Sequence, residues 1–273
     1  MEPLFRIGPV SIYLFGLMIA IGVLVGLYFF LKEAKKRGYD EKQLIDAVLL
    51  SFIGGVVGAR IVYILVYNPS YYFSNPIEVF FIHKGGLSIH GGLIGGLIVA
   101  LLYLRKNKLP VLKTLDIAAP FIILAQGISR IGCDVFGAPT AADSFWNINV
   151  DGVYYHPAQA YEFVLNYFLF GYLWLRLKSK HYHGQVILHY FVGFLFIRGL
   201  VEFSRVNPMI FGLSVSHIMS IVGIIIGFVF MFYLKKKEPL KVANVERYEI
   251  AKTWFYVWGV MIVSLIAYYL LQG

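Results

Sequence analysis

Residues 9–37 read PVSIYLFGLMIAIGVLVGLYFFLKEAKKR, and this stretch decides the fold. From Pro9 to Leu31 no charged side chain interrupts the apolar run. Lys32, Lys35, Lys36 and Arg37 then follow almost at once. About 20 apolar residues are enough for a helix to cross the hydrocarbon of a bilayer. Basic residues gathered at one end of such a run mark the cytoplasmic side. The stretch therefore reads as a membrane span that leaves the bilayer on the inside.

The same pattern recurs along the chain. Eight candidate spans fall at roughly 9–31, 44–67, 86–104, 114–133, 158–176, 184–204, 212–234 and 253–271. Basic residues cluster after alternate spans: Arg105, Lys106, Lys108 and Lys113, then Arg176, Lys178 and Lys180, then Lys235, Lys236, Lys237, Lys241, Arg247 and Lys252. The remaining loops hold little more than Lys84 and Arg205. This asymmetry predicts an outside N-terminus, with the long segments 68–85 and 134–157 outside too. The tyrosine-rich YNPSYYF and VYYHP motifs then lie at outer ends, where aromatic belts form.

Composition agrees. Of 273 residues, 59% are hydrophobic and 14% charged, against about a quarter charged in a typical soluble domain. The mean hydropathy is +0.72. The expected fold is an all-α polytopic membrane protein: a seven-helix core over 1–236, a cytoplasmic linker over 237–252 and an additional transmembrane helix over 253–273. The net charge of +9 is explained by the inside loops, so nucleic acid is not an expected partner. The chain has one cysteine, Cys133, which excludes an intrachain disulfide and a CxxC metal site. The first apolar run lacks a basic leader and is too long for the core of a cleavable signal.

Against this background some residues are out of place. Arg60, His90, Arg130, Glu162, Arg198, Glu202 and Arg205 lie within or at the ends of spans. A charge at the bilayer centre costs about 2.5–3.5 kcal/mol or more, so each must meet a partner, a polar interior or the interface. Arg198, Glu202 and Arg205 stand at i, i+4 and i+7, on one helix face. Read by themselves they are either a neutralised structural trio or part of a site. Taken together, four arginines outnumber two glutamates. Arginine is well suited to phosphate, with a planar fork and a permanent charge. The expected guest is an anion, and the abundant anion in a bilayer is a phospholipid headgroup.

The segment GGLSIHGGLIGG, residues 85–96, adds bare backbone and one imidazole. Gly95 and Gly96 fit helix packing of the GxxxG type. Gly85, Gly86, Gly91 and Gly92 flank the histidine and are expected to build a site by letting backbone approach a ligand. His90 is either an interhelical hydrogen-bond donor, a proton acceptor or a phosphate donor. His156, before Pro157, reads as an interfacial residue at a helix start.

These segments, in order, resemble the bacterial prolipoprotein diacylglyceryl transferases. KGGLSIHGGLIGG is the most specific match. IGPVSIYLFGLMIAIG, GGVVGARIVYILVYNP, DIAAPFIILAQGISRIGC, HPAQAYE and IRGLVEFSR are similar to other family segments. The resemblance implies transfer of a diacylglyceryl group from phosphatidylglycerol to the lipobox cysteine of a preprolipoprotein, without cofactor or metal. It implies that Arg130 and Arg198 stabilise the leaving phosphate and that Glu162 and Glu202 orient them. It also implies that Gly91, Gly92 and Gly137 shape the site. His90 is then a thiol-proton acceptor or a phosphate ligand.

The chain departs from the family pattern in places. Ser129 stands where glycine is usual, and Phe15 and Phe194 stand where many members carry tyrosine. The loop after Arg130 is short, so Asp134 substitutes for its usual polar residue or the role is vacant. The last span is an addition that reads as a plain anchor. Two other readings of the arginines stay open at this point. One is an anionic-lipid transporter or a divergent paralogue, and the other is a silent scaffold.

Overall fold

The computed structural model describes residues 3–7, 10–67, 69–82, 85–140, 144–210, 212–237, 240 and 243–272. Lys84 and Lys241, counted among the loop charges, lie outside the described residues. The helices in chain order are α1 (Leu14–Lys36), α2 (Glu41–Tyr67), the short α3 (Pro69–Ser74), α4 (Ile89–Lys106), α5 (Val111–Arg130), α6 (Ala158–Lys178), α7 (Gln185–Glu202), α8 (Val215–Lys237) and α9 (Arg247–Gln272). Three two-stranded antiparallel hairpins decorate the loops. One of them turns at Asp151 and Gly152, both at positive φ, as a tight Asp-Gly hairpin requires.

Among the described residues, seven helices are long and apolar enough to cross a membrane. The chain is an all-α, multi-pass membrane protein. Helix α6 also has the length, at 21 residues, but its composition is more polar. Its polar side chains are turned inward: Gln159, Glu162 and Asn166, spaced to share one face, are at most 1% exposed. A helix ringed by other helices can carry polar residues that lipid would reject.

The chain forms two compact units. The first comprises Met1–Phe30 and Leu115–Gly273. In it α6 packs against α7 and α9, and α7 against α8. Its core joins Phe163 and Tyr167 of α6 to Val257, Met261 and Tyr268 of α9. The last helix therefore does more than anchor the chain: Tyr268 is fully buried, and α9 starts at Arg247. At one end of this unit Asp116, also fully buried, caps α7. Its carboxylate accepts the backbone N–H of Gly184, Val186 and Ile187 at 2.9–3.2 Å and pairs with Lys180 at 2.9 Å. These are the orphan donors that open every helix. Gly184 supplies the left-handed turn, at φ 87°, that aims them.

The second unit is Leu31–Thr114. Its main feature is the close pairing of α2 with α4. Gly54 and Gly58 on α2 face Gly91 and Gly95 on α4, and a Cβ on any of the four would overlap backbone or side chain of the other helix. The backbones come close enough for Ser88 N–H to reach Ala59 O at 3.0 Å. Gly91 thus lies in the packing seam with Gly95, where its missing side chain admits the neighbouring helix. Gly92 is different again: a Cβ there would find its nearest neighbours at 3.6 Å, an ordinary contact.

Candidate functional site

In the second unit, Ser88 caps α4 and accepts Gly91 N–H at 3.4 Å, which places His90 in the first helical turn. The His90 imidazole is exposed, and among the described residues none hydrogen-bonds it. Arg60 of α2 is 6% exposed and fully engaged in holding the preceding loop. Its Nε–H donates to Val79 O at 2.9 Å, and Nη1 donates to both Gly85 O and Gly86 O at 2.9 Å. Nη2 donates to Glu78 O at 2.5 Å. The Tyr72 ring lies 5.1 Å from the guanidinium carbon. Gly85 and Gly86 sit at φ 86° and 78°, a backbone only glycine adopts readily, and this turns both carbonyls toward the arginine. Arg60, expected to bind an anion, shapes the loop that leads into His90's helix.

The first unit gathers Arg130, Glu162, Arg198, Glu202 and Arg205. Arg130 ends α5, Glu162 lies in the first turns of α6, and Arg198 and Glu202 lie near the end of α7. Arg130 Nε donates to Glu162 Oε1 at 2.8 Å, and its Nη1 points at Cys133 Sγ at 3.8 Å. Arg205 Nη2 stands 3.6 Å from Glu162 Oε2, too far for a hydrogen bond. Arg198 Nη2 pairs with Glu202 Oε2 at 3.0 Å. Glu202 is held from behind by Asn207 and Ser214, each donating to Oε1 at 2.7 Å.

Ser214 and His217 were not among the expected site residues, although the sequence carries a signal for them. Ser214 Oγ accepts His217 N–H while His217 Nδ1 accepts Ser214 N–H, both at 3.3 Å, a reciprocal cap on α8. The spacing S-x-x-H in SVSH is that of a capping box with histidine in the glutamate position. Gly137 sits where the loop after Arg130 squeezes past Ser204 and His156, with its N–H on His156 O at 2.8 Å. Any side chain there would collide with backbone.

The balance of charge in this cluster is uneven. Three arginines face two glutamates, both of them 1% exposed at the side chain. Among the described residues, none accepts a hydrogen bond from the buried Arg198 Nη1 or from Arg205 Nε and Nη2. Burial, and then the nearby Arg198, pull the Arg205 pKa below the usual arginine value, with Glu162 pulling it back up. An arginine so placed still carries its charge. Unsatisfied buried donors are uncommon in native proteins and mark places completed by something else. Glu162 Oε2 and Glu202 Oε2 are also buried without a hydrogen-bond partner among the described residues, 3.6 Å from Arg205 Nη2 and 3.0 Å from Arg198 Nη2 respectively.

Three arginines and two glutamates gathered at the ends of membrane helices mark a candidate anion site in a membrane protein. Comparison with known sequences narrows this. The family model described as prolipoprotein diacylglyceryl transferase matches residues 2–233. A phosphatidylglycerol–prolipoprotein diacylglyceryl transferase of Clostridioides difficile is 34% identical over 243 residues, covering 88% of this chain and 98% of that protein. Proteins of the same name from Staphylococcus carnosus and Bordetella parapertussis are 33% and 35% identical, covering 89% and 81% of this chain and 94% and 90% of their own. The chain belongs to the prolipoprotein diacylglyceryl transferase family and is a transferase of the membrane.

Proposed function

We propose that this enzyme transfers the diacylglyceryl group of phosphatidylglycerol to the lipobox cysteine of preprolipoproteins, the first step of lipoprotein maturation. The observation that carries the reading is the set of buried arginine donors without acceptors on Arg198 and Arg205, beside Arg130. A phosphodiester headgroup supplies the oxygens and the charge they lack.

The reaction needs no nucleophile from the enzyme. The cysteine sulfur attacks the glycerol carbon that carries the phosphate. A C–S bond forms, the C–O bond breaks, and glycerol phosphate leaves with the electron pair. Arg130, Arg198 and Arg205 stabilise the charge that grows on the departing phosphate. Glu162 and Glu202 hold the guanidinium groups in register. The thiol, with a pKa near 8.5, attacks well only as thiolate, and His90 is our choice to take its proton. Arg60, Gly85 and Gly86 support that residue indirectly, by ordering the loop before it.

The basic loops favour a bacterial cytoplasmic membrane orientation with the N-terminus outside and the arginine cluster toward the outer leaflet. Lipobox peptides then reach it from the side to which precursors are exported, and lipids reach it from the surrounding membrane. Residues 1–236 form the transferase core, and a cytoplasmic linker from 237 leads into an additional membrane helix, α9, that begins at Arg247.

The test is direct. The purified protein is mixed with phosphatidylglycerol vesicles and a lipobox peptide, and the peptide mass is followed. A diacylglyceryl gain that disappears with Arg130→Ala or Arg198→Ala is expected. A folded protein that modifies no peptide with any anionic lipid overturns the reading and leaves lipid transport or scaffolding. With His90→Gln, turnover falls about a hundredfold while lipid binding is kept.

A further inference from the structure

The family match ends at residue 233, and α9 lies wholly beyond it. Its contacts nevertheless lead to the turn that follows Arg130. Ile131 and Cys133 are 4% and 3% exposed. Carbonyls just past a helix end have no intrahelical partner, and buried ones must find one elsewhere. Side chains provide them. Gln272, at the end of α9, donates from Nε2 to Ile131 O at 3.3 Å. Gln159 of α6 donates from Nε2 to Cys133 O at 3.0 Å. The other end of the Gln159 amide, Oε1, accepts the Tyr268 hydroxyl at 3.2 Å.

The Tyr268 bond sets which way the Gln159 amide faces. With Oε1 engaged by the hydroxyl, the NH2 group is the end that meets Cys133. The same turn holds Arg130 from two sides. Cys133 N–H donates to Arg130 O at 3.3 Å, and Cys133 Sγ lies 3.8 Å from Arg130 Nη1. The Tyr268 ring is fixed in turn by edge-on packing against Phe163, with centroids 5.6 Å apart.

We propose that α9 is a positioning element for Arg130: Gln272 directly, and Tyr268 through Gln159, pin the 130–133 turn and so aim the guanidinium. The proposal rests on Arg130 being a headgroup-binding residue. Neither α9 side chain touches substrate. A displacement of about 1 Å at a catalytic group is enough to cost orders of magnitude in rate, so remote anchors of this kind control turnover.

The test uses the full chain in phosphatidylglycerol vesicles, with Tyr268→Phe, Gln272→Ala and the double variant. Tyr268→Phe keeps the ring and removes only the hydroxyl. Ser264→Ala is the matched control. It deletes the 2.9 Å bond between Tyr167 and Ser264, another buried link between α6 and α9 that does not lead to the turn. Two readouts are taken. The first is peptide transfer, separated into kcat and KM. The second is the rate of maleimide labelling in the absence of peptide, which reports on the turn alone because Cys133 is the only cysteine of the chain.

The double variant is expected to label about tenfold faster and to lose about tenfold in kcat, with peptide KM within about twofold. Ser264→Ala stays within about twofold of the unsubstituted protein in both readouts. The proposal is overturned if the double variant labels and turns over like the unsubstituted protein. It is equally overturned if Ser264→Ala matches the double variant, because α9 then only stabilises the bundle. If the unsubstituted protein transfers nothing, the proposed reaction fails, while labelling still decides whether α9 holds the turn.

Discussion

Arg60 is buried and Arg205 half-buried in a chain that should avoid buried charge, and they are built in opposite ways. Arg60 directs Nε, Nη1 and Nη2 onto four backbone carbonyls of its own loop. Arg205 has Nε and Nη2 buried and without a hydrogen-bond acceptor. Asp116 is the acidic counterpart of Arg60, fully buried and receiving three backbone N–H groups and a lysine. The first pattern is that of a structural charge, satisfied by the fold itself. The second is the pattern on which the proposed headgroup-binding role rests.

The comparison predicts a division of effects. Removing an incomplete arginine should affect chemistry far more than folding. Arg205→Ala is expected to lower transfer by about a hundredfold to a thousandfold. Its thermal unfolding in detergent should stay close to that of the unsubstituted protein, because the lost charge had no complete set of partners. A large loss of stability with little loss of rate would reverse the assignment of the two arginines.

Arg60→Ala should do the opposite. It leaves four carbonyls without their donor and is expected to cost about 3 kcal/mol of stability, read as lower thermal stability and faster proteolysis of the 69–88 region. Arg60→Lys is not expected to rescue it, because one ammonium cannot reproduce the planar fork. If Arg60→Ala instead folds normally and loses only lipid affinity, Arg60 belongs with the substrate-binding arginines after all.

The smallest expected effect separates two adjacent glycines. Gly91→Ala places a methyl group against the Gly58 carbonyl and Val62 and should cost about 1–3 kcal/mol by overpacking. Gly92→Ala meets only an ordinary contact at 3.6 Å and should be nearly neutral for folding. A loss of transfer with Gly92→Ala at unchanged stability would show that this face of α4 receives substrate.

Much of this was legible in the linear chain. The apolar runs and the charged residues inside them are local properties, and they locate the helices and the arginines without reference to any neighbour. Other features were not legible, because they depend on who the neighbour is. Gly91 and Gly92 are adjacent in one glycine-rich motif and both face α2, yet only at Gly91 is the approach too close for a side chain. Helix α6 is less apolar than the other long helices because its polar face points into protein. The last helix carries no charge over 253–271 and reads as an anchor, but Tyr268 and Gln272 reach the turn after Arg130.

The sequence by itself determined that this is a polytopic membrane protein with more arginine than glutamate within or at the ends of its spans, which raised the expectation of an anionic guest. The solvent imposes this: hydrocarbon accepts apolar side chains and penalises every unpaired charge. Only the tertiary structure decided which arginines are already paired and which are left waiting. A guanidinium is satisfied by oxygens a few ångströms away, and those oxygens come from loops and helices distant in the chain.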